Sequence, residues 1–314
     1  MLTFKNIIDE VLDWFDEDDN TGTFKENVKN AINQAHHERL VKYKWPFMLW
    51  PRPVTLSMVV GQQKYTLHEE MQRLVYVYNT TKEIYLKEIP WRNMTSEYLR
   101  ENVDNDHAET FQLRHIESVQ NQPSSASVVT LVSTSGSDTG SAYTVTIYGE
   151  TSSGVMVSET LQANGTTPVN GTTSFLNITD VTLSIAFNGT LTLTSNSGAV
   201  TLLSLTAGQY GKKYQTLYML TEPESADTVE YMFYRRPRKL VNDYDIPQIP
   251  PEYARILVWD TLMSFTNYNA DIAQRDMEFW HSKRSELETA MYKTYLEAQT
   301  LRQSSKTIKY IARD

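Results

Sequence analysis

The stretch KYKWPFMLWPRP, residues 42–53, marks the point where the pattern of the sequence changes. An amphipathic helical pattern precedes it, and an alternating strand pattern follows it. Pro46 ends the helix, because proline lacks a backbone N–H and its ring clashes with the preceding turn. The stretch also places four rigid aromatic side chains at the end of this helix, which indicates a segment that closes a hydrophobic core. The aromatic residues are Tyr43, Trp45, Phe47 and Trp50.

Two helices are predicted before this stretch. Thr3 is placed to cap the first, and apolar residues then recur at helical spacing through residues 4–15. The second helix has its apolar face within residues 24–40. A short turn joins the two, so we expect an antiparallel helix hairpin.

Two more helices are predicted towards the C-terminal end. A Pro-rich segment leads into the first, whose buried side includes Tyr253 and Leu257, with Asp260 and Thr261 facing elsewhere. The second runs from about Asp271 towards residue 300.

Strand patterns of ordinary charge content occupy residues 54–118 and 213–235. VTLSMV and QKYTL flank Gly61, and this arrangement predicts a hairpin. RLVYVYN and EIYLKEI predict a second pair of strands within residues 73–89.

The composition changes sharply between Gln122 and Gly208. This stretch contains nine of the 12 glycines, and its few charged residues are all acidic. Alternating strand patterns separated by short turn signals are typical of a small β-sandwich of immunoglobulin-like type. A disordered Ser/Thr/Gly linker is the alternative, and the regular alternation of Val, Leu, Ile and Tyr argues against it.

The predicted fold class is therefore α+β, with a helical-bundle core, a small β-sheet region and an inserted all-β immunoglobulin-like sandwich. Residues 1–121 and 209–300 form one discontinuous domain in this prediction, 122–208 form the sandwich, and 301–314 form a basic C-terminal tail.

Several function classes lack support in the sequence. The chain has no cysteine, which excludes disulfides, thiolate nucleophiles and zinc–thiolate sites. His36 and His37 are adjacent, so they point to different helix faces and do not form a metal pair. Asp243 and Asp245 are candidates for a glycosidase pair, but a Pro-rich turn explains them better. We expect no enzyme, no catalytic residue, no metal and no cofactor.

The sequence also bears on location and on nucleic acid. The N-terminus has no basic region before an apolar run, which predicts no signal peptide. No segment approaches the roughly 20 apolar residues that span a bilayer, so we expect no membrane association. The net charge of −9 argues against general DNA binding. The basic aromatic cluster FYRRPRK, residues 233–239, suits either nucleic acid or the acidic residues of a neighbouring subunit.

The order of motifs in two separated blocks resembles that of the head-to-tail adaptor proteins of tailed bacteriophages, also called connector or head-completion proteins. A helix hairpin leads to Trp45-Pro46-Phe47, and a G-x-x-x-Y-x-L pattern follows at Gly61, Tyr65 and Leu67. The second block contains Y-R-R-P, residues 234–237, then I-P-x-x-Y, residues 249–253, and two helices. The resemblance covers roughly 1–118 and 209–300 and not the sandwich. The chain departs from the family pattern at Leu-His-Glu, where the family often has Leu-Pro-Asp.

The resemblance implies a structural protein of the virion, assembled in the cytoplasm of a host bacterium. It implies a homo-oligomeric ring, dodecameric by analogy with portal symmetry, whose partners are the portal protein and tail or nozzle proteins. Double-stranded DNA would pass through the channel without sequence-specific binding, because an acidic wall repels phosphate.

Two sets of residues are predicted to make contacts. We expect the tail to dock onto the portal, since a charged segment can fold on a partner. Its contact residues are Leu301, Arg302, Lys306, Ile308, Lys309, Tyr310 and Arg313. Aromatic and basic residues near the helix end are predicted to contact a subunit or the tail. They are Trp45, Phe47, Trp50, Tyr234, Arg235 and Arg236.

Other functions remain open at this point. A tail or baseplate adhesin would use the sandwich to bind host glycan. A hydrolase with a carbohydrate-binding insert would need a catalytic carboxylate pair, for which abundant acids are the only support. A cell-surface β protein is disfavoured by the lack of an export signal.

Overall fold

The structure is a computed structural model that describes residues 1–15, 22–89, 110–123, 125–195, 198–220, 223, 225–265 and 270–297. The chain divides into two compact units. The helical unit combines the chain up to Arg52 with the chain from Phe233 onward, and the β unit is Pro53–Met232. These limits differ from the predicted domain limits at residues 122 and 208, which stay a prediction.

The predicted fold class is wrong in its main claim, because β structure is the larger part of the protein. Strands in four sheets account for 36% of the described residues and helices for 26%, and no helical-bundle core is evident among those residues. The predicted small β-sheet region instead builds two four-stranded sheets of its own. The class is α+β at most. The described helices are α1 (Phe4–Trp14), α2 (Gly22–Lys42), α3 (Ile256–Ser264) and α4 (Ala270–Tyr292), with a 3₁₀ turn at Pro46–Met48 and a π turn at Lys293–Glu297.

The first helix forms as its sequence indicates. The Thr3 side chain accepts a hydrogen bond from the backbone N–H of Asn6 at 3.3 Å, and the Asn6 side chain accepts one from the backbone N–H of Thr3 at 3.1 Å. This reciprocal capping satisfies two backbone donors that the helix leaves open. The predicted cap is confirmed. The apolar face of α1 is buried with apolar residues of α2, α3 and α4 in one cluster.

The aromatic stretch at residues 43–50 closes this cluster. Trp45 is fully buried, and its indole N–H donates to the backbone oxygen of Arg39 at 2.8 Å. Its ring stacks on Phe47 at 5.5 Å and meets Tyr43 edge to face at 5.1 Å. A buried tryptophan needs a partner for its N–H, and the last turns of α2 supply one. Burial of a large side chain contributes roughly 1.5–3 kcal/mol.

Four sheets lie in the part of the β unit that the structure describes, and two of them belong to the segments outside the predicted sandwich. Their strand orders are β1-β15-β3-β4 and β2-β14-β6-β5, and β15 runs on past the limit of the unit. The strands are β1 (Val54–Ser57), β2 (Lys64–Thr66), β3 (Met71–Asn79), β4 (Ile84–Tyr85), β5 (Lys87–Glu88), β6 (Thr110–Glu117), β7 (Val129–Ser133), β8 (Thr139–Glu150), β9 (Met156–Asn164), β10 (Val169–Asn170), β11 (Asn177–Leu183), β12 (Leu191–Ser195), β13 (Val200–Leu205), β14 (Tyr214–Met219) and β15 (Thr228–Arg235).

The hairpin predicted around Gly61 does not form. β1 pairs with β15 and β2 pairs with β14, so the two strands belong to different sheets. A side chain holds the turn in place of a ladder of hydrogen bonds between two strands. The Tyr65 hydroxyl donates to the Gln62 carbonyl at 2.7 Å and accepts the Val59 N–H at 3.0 Å. Gly61 has a φ of 77°, which favours glycine. These contacts give the spacing of Gly61 and Tyr65 a physical reason.

The insertion forms two sheets whose inner faces share one buried cluster. One has the order β10-β7-β12-β13 and the other β11-β8-β9. With the seven strands numbered within the insertion, the orders are 4-1-6-7 and 5-2-3. The immunoglobulin constant-type order pairs the first strand with the second, whereas β7 here pairs with β10 and β12. The strand order therefore differs from that of the immunoglobulin constant type, because alternation within strands does not specify their pairing.

One buried carboxylate organises the loops of the sandwich. Asp138 is fully buried and accepts hydrogen bonds from the Ser133 hydroxyl at 2.6 Å, from the backbone and side chain of Asn188 at 2.9 and 3.0 Å, and from the backbone of Gly189 at 3.0 Å. Burial alone would raise the pKa of Asp138, but these bonds outweigh it and hold the pKa below its ordinary value. The carboxylate explains why a rare acid lies inside this sandwich.

Candidate functional site

The helical unit contains a partly buried ion cluster, which we define as Arg39, Lys42, Asp260, Arg284 and Glu288. Arg39 is almost fully buried and donates to both carboxylate oxygens of Asp260, at 2.6 to 3.1 Å. Arg284 donates to Asp260 at 2.6 Å, and Lys42 donates to Glu288 at 2.6 Å. The cluster therefore ties α2 to α3 and α4.

The charges of the cluster support one another. Burial alone would lower the pKa of Arg39, but Asp260 and Glu288 raise it. Burial alone would raise the pKa of Glu288, but Lys42 and Arg39 lower it. Arg39 Nη1 lies 2.8 Å from Glu288 in a charge contact without good hydrogen-bond alignment. Buried charges need such pairing, because an unpaired one carries its full desolvation cost.

A cavity of about 320 Å³ lies beside this cluster. Ala31 and Ala35 of α2 leave the space open, and Met263 of α3 adds apolar surface. The other lining residues are polar or charged. They are Gln34, Glu38, Arg39, Lys42, Asp260, Ser264 and Arg284. The cavity can accept a group that is partly apolar and that also carries a polar or carboxylate group.

The opposite face of α2 holds the segment that leads to α3. The Asn33 side chain accepts the N–H of Leu240 at 2.7 Å and donates to its carbonyl at 3.0 Å. His36 Nε2 accepts the N–H of Gln248 at 3.1 Å, and His36 also makes a hydrogen bond with the backbone of Arg238. Burial lowers the pKa of His36 from 6.5 to about 4, against the raising effect of the Arg238 bond. His36 is therefore neutral at pH 7 and has a structural role.

The residues of the predicted subunit or tail interface lie close together in the helical unit. Leu49 pairs with Tyr234, the Trp50 N–H donates to the Phe233 carbonyl at 2.9 Å, and the Arg235 guanidinium donates to the Phe47 carbonyl at 2.9 Å. These contacts place the aromatic stretch beside the Tyr-Arg-Arg-Pro motif.

The members of this predicted interface differ in exposure. Trp45 is fully buried, so it contributes no surface in this structure and acts within the core. Phe47, Trp50, Tyr234, Arg235 and Arg236 are half-buried. Their role in an interface stays a prediction. The predicted portal-docking residues, from Leu301 to Arg313, lie outside the described residues.

The described part of the chain also bears on metal sites and membrane spans. Among those residues, no group of three or more His, Asp or Glu side chains is arranged to hold a metal ion. None of the helices described is long and apolar enough to cross a bilayer.

Comparison with known proteins does not assign the chain to a family. No model of a known protein family matches the chain, and no curated protein gives a significant match.

Sequence reasoning missed the ion cluster. The helical spacing predicts that Asp260 and Thr261 face away from the buried side of their helix. Thr261 is instead fully buried, and the Asp260 side chain is only 10% exposed. The partner Arg39 is 221 residues away, and no local pattern reveals such a pairing. The one available signal was an acid in the middle of an otherwise apolar helix.

We predict that Asp260→Asn lowers the free energy of unfolding of the helical unit by about 3–5 kcal/mol, because it leaves Arg39 buried beside a neutral partner. Glu26→Gln is a matched control, since it breaks an exposed pair with Lys29 and should cost less than about 1 kcal/mol. Urea denaturation followed by tryptophan fluorescence measures both. Equal effects would contradict the structural role of the cluster.

We also predict a loss of stability in weak acid. The pKa of His36 is about 4 in the folded protein and 6.5 when unfolded, so only the unfolded chain gains this proton as the pH falls from 6.5 to 4. His36 should therefore cost roughly 3 kcal/mol of stability across that window and nothing above it. Unfolding measured against pH should show a flatter curve for His36→Gln than for the unmodified chain. An unchanged slope in His36→Gln would refute the assignment.

Proposed function

We propose that this protein is a structural component of a bacteriophage virion. In this proposal it forms a ring that joins the portal vertex of the capsid to the tail and continues the DNA channel. The basis of the proposal is the resemblance of its motifs to those of head-to-tail adaptors. In this role the chain assembles with other proteins and catalyses no reaction.

One structural observation carries the proposal furthest. The two motif blocks that resemble the adaptor family are separated by nearly two hundred residues, yet they meet in one unit. Leu49 pairs with Tyr234, and Arg235 binds the Phe47 carbonyl at 2.9 Å. A motif order shared across distant blocks is meaningful when the blocks form a common substructure, because each block then constrains the other.

Charge is consistent with the same role. The net charge of −9 suits a wall past which DNA moves without adhering, because like charge repels phosphate. The paired segments 42–53 and 233–242 contain seven Lys or Arg residues and no acid. This local basic region suits contact with an acidic protein surface in the assembly, such as that of a neighbouring acidic subunit.

The contacts that attach the sandwich to the neighbouring strands bear on its proposed role as an added domain of the ring. Lys213 donates to Asp180 at 2.6 Å and to Ser118 at 2.8 Å, and Lys64 donates to Asn177 at 3.1 Å. These bonds link the strands before and after the insertion to β11 inside it. A sandwich held in this way can present a defined surface to another virion protein or to the capsid exterior.

We predict that deleting residues 301–314 abolishes binding to the portal protein of the same phage and leaves the fold intact. The reason is that this basic segment is the proposed docking element. Co-sedimentation with portal rings measures binding, and circular dichroism with thermal unfolding monitors the fold.

A second variant tests the charge of the tail without changing its length. Substitution of Gln at Arg302, Lys306, Lys309 and Arg313 keeps the tail and removes four positive charges. We expect binding to weaken by at least about tenfold and to lose much of its salt dependence. Portal binding that is unchanged in the deletion variant would rule out the tail as the docking element.

A further inference from the structure

The loop between β15 and α3 exposes an unusual amount of apolar surface. Tyr244 is 83% exposed, Val241 68% and Ile246 49%. We call residues 241–246 the knob. Three large apolar side chains exposed within six residues form a patch of the kind that marks protein–protein contact sites. Asp243, beside Tyr244, is also exposed.

The knob is held rigidly despite its exposure. The Asp245 carboxylate accepts the N–H groups of Val241 at 2.6 Å and Asn242 at 2.8 Å. The carbonyls of Asp245 and Asp243 accept the N–H groups of Phe4 and Lys5 in the first turn of α1, at 2.8 and 2.9 Å. An apolar protrusion that is ordered in advance loses little entropy on binding, which favours its use as an anchor.

The cavity beside the ion cluster is suited to receive such an anchor. We call it the socket. Its volume of about 320 Å³ falls at the small end of ligand-sized sites, which is enough for one aromatic side chain. Ala31, Ala35 and Met263 offer apolar contact, while Gln34 and Ser264 can bond a buried tyrosine hydroxyl.

The knob carries an exposed acid, and the socket carries two partly exposed cations. Lys42 and Arg284 line the socket with side chains 48% and 33% exposed, so part of each cation remains open to solvent. Asp243 of the knob carries the opposite charge next to Tyr244. The lining as a whole includes three cations and two acids, and Glu288, which pairs with Lys42 and Arg39, brings the acids to three, so the site is neutral overall. Asp243 of an entering knob would therefore be oriented by the exposed ends of Lys42 and Arg284 and not by a net charge.

The knob and the socket lie on opposite sides of α2. At about 100° per residue, Ala31, Ala35 and Lys42 share one face, while Asn33 and His36, which hold the two ends of the knob segment, lie roughly 150° away. A knob therefore cannot enter the socket of its own chain. Contact between unlike surfaces on two copies repeats head to tail, and it closes into a ring when the rotation permits.

We propose that Tyr244 of one copy inserts into the socket of a second copy, and that this head-to-tail contact builds the homo-oligomer. The inference rests on the proposed ring and names the surfaces that form it. It assigns Tyr244 as the apolar anchor, Asp243 as the charged guide, and the alanines of α2 as the residues that keep the socket open.

Two complementary variants test this contact. Tyr244→Ser removes the anchor and leaves the socket open, whereas Ala31→Trp fills the socket and leaves the anchor. Each variant alone should associate at least about tenfold more weakly than the unmodified chain in sedimentation velocity. An equal mixture should form dimers and stop there, because only one productive pair of surfaces remains. Tyr85→Ser is the matched control, since Tyr85 is 69% exposed in the β unit, and it should assemble as the unmodified chain does.

A cross-linking experiment keeps the test independent of whether Ala31→Trp folds. The natural chain has no cysteine, so Asp243→Cys with Gln34→Cys supplies the only two thiols. Disulfides form only when the Cα atoms come within about 7 Å, and the positions within one chain lie on opposite sides of α2. Mild oxidation should give a ladder of covalent oligomers, and each single-cysteine variant should give at most dimers.

Several outcomes would overturn the inference. They are a chain that stays monomeric at its highest soluble concentration, unchanged assembly in both variants, a mixture that remains monomeric, or a cysteine pair that yields no ladder. A chain that binds the portal but shows one of these outcomes keeps the adaptor proposal and loses only this interface. Self-assembly through the knob without any portal binding keeps the interface and rejects the adaptor.

Discussion

The charge pair between Arg39 and Asp260 is the interaction on which the helical unit depends. It joins α2 near the start of the chain to α3 near its end, across 221 residues of sequence. Both carboxylate oxygens are used, and Arg284 and Glu288 complete the neutralisation of the site. Because a buried charge is tolerated only with its partners, this cluster sets the register of three helices at once. The socket lies beside it, so its shape follows from the same constraint.

The aromatic stretch 42–53 has two roles that follow from its position. Trp45 closes the core, with its N–H bonded to the end of α2. The backbone after it then pairs with Phe233 and Tyr234, which brings a basic strand end to the same place. The same stretch thus ends the first helical segment and anchors the returning chain. This explains why one short sequence carries so many rigid side chains.

Local features were predictable from the sequence, and long-range pairings were not. The cap at Thr3 and the buried face of α1 follow from residue types a few positions apart. The strand partners around Gly61 do not, because β1 and β2 find partners far along the chain. The pairing of the sandwich strands and the burial of Asp260 could not be read from the sequence for the same reason. Alternation and helical spacing report which face is buried, whereas pairing depends on contacts that no local pattern encodes.

The candidate site shows the same division. The sequence pointed to Phe47, Trp50, Tyr234 and Arg235, and the structure brings these residues together. The sequence offered no reason to select the loop at 241–246 or the alanines of α2, because the exposure of a loop and the presence of a cavity are properties of the folded unit. Apolar residues in a Pro-rich acidic turn were the only available signal. A sequence interpretation treats such residues as turn formers, and only their exposure in the folded unit marks them as a surface.

The most direct test of the adaptor account is the mass and shape of the purified chain, alone and mixed with the portal protein of the same phage. Mass photometry and negative-stain microscopy give both quantities. The account predicts a ring of many copies seated on the portal, even if the chain alone is smaller. A monomer or trimer that ignores the portal would contradict it.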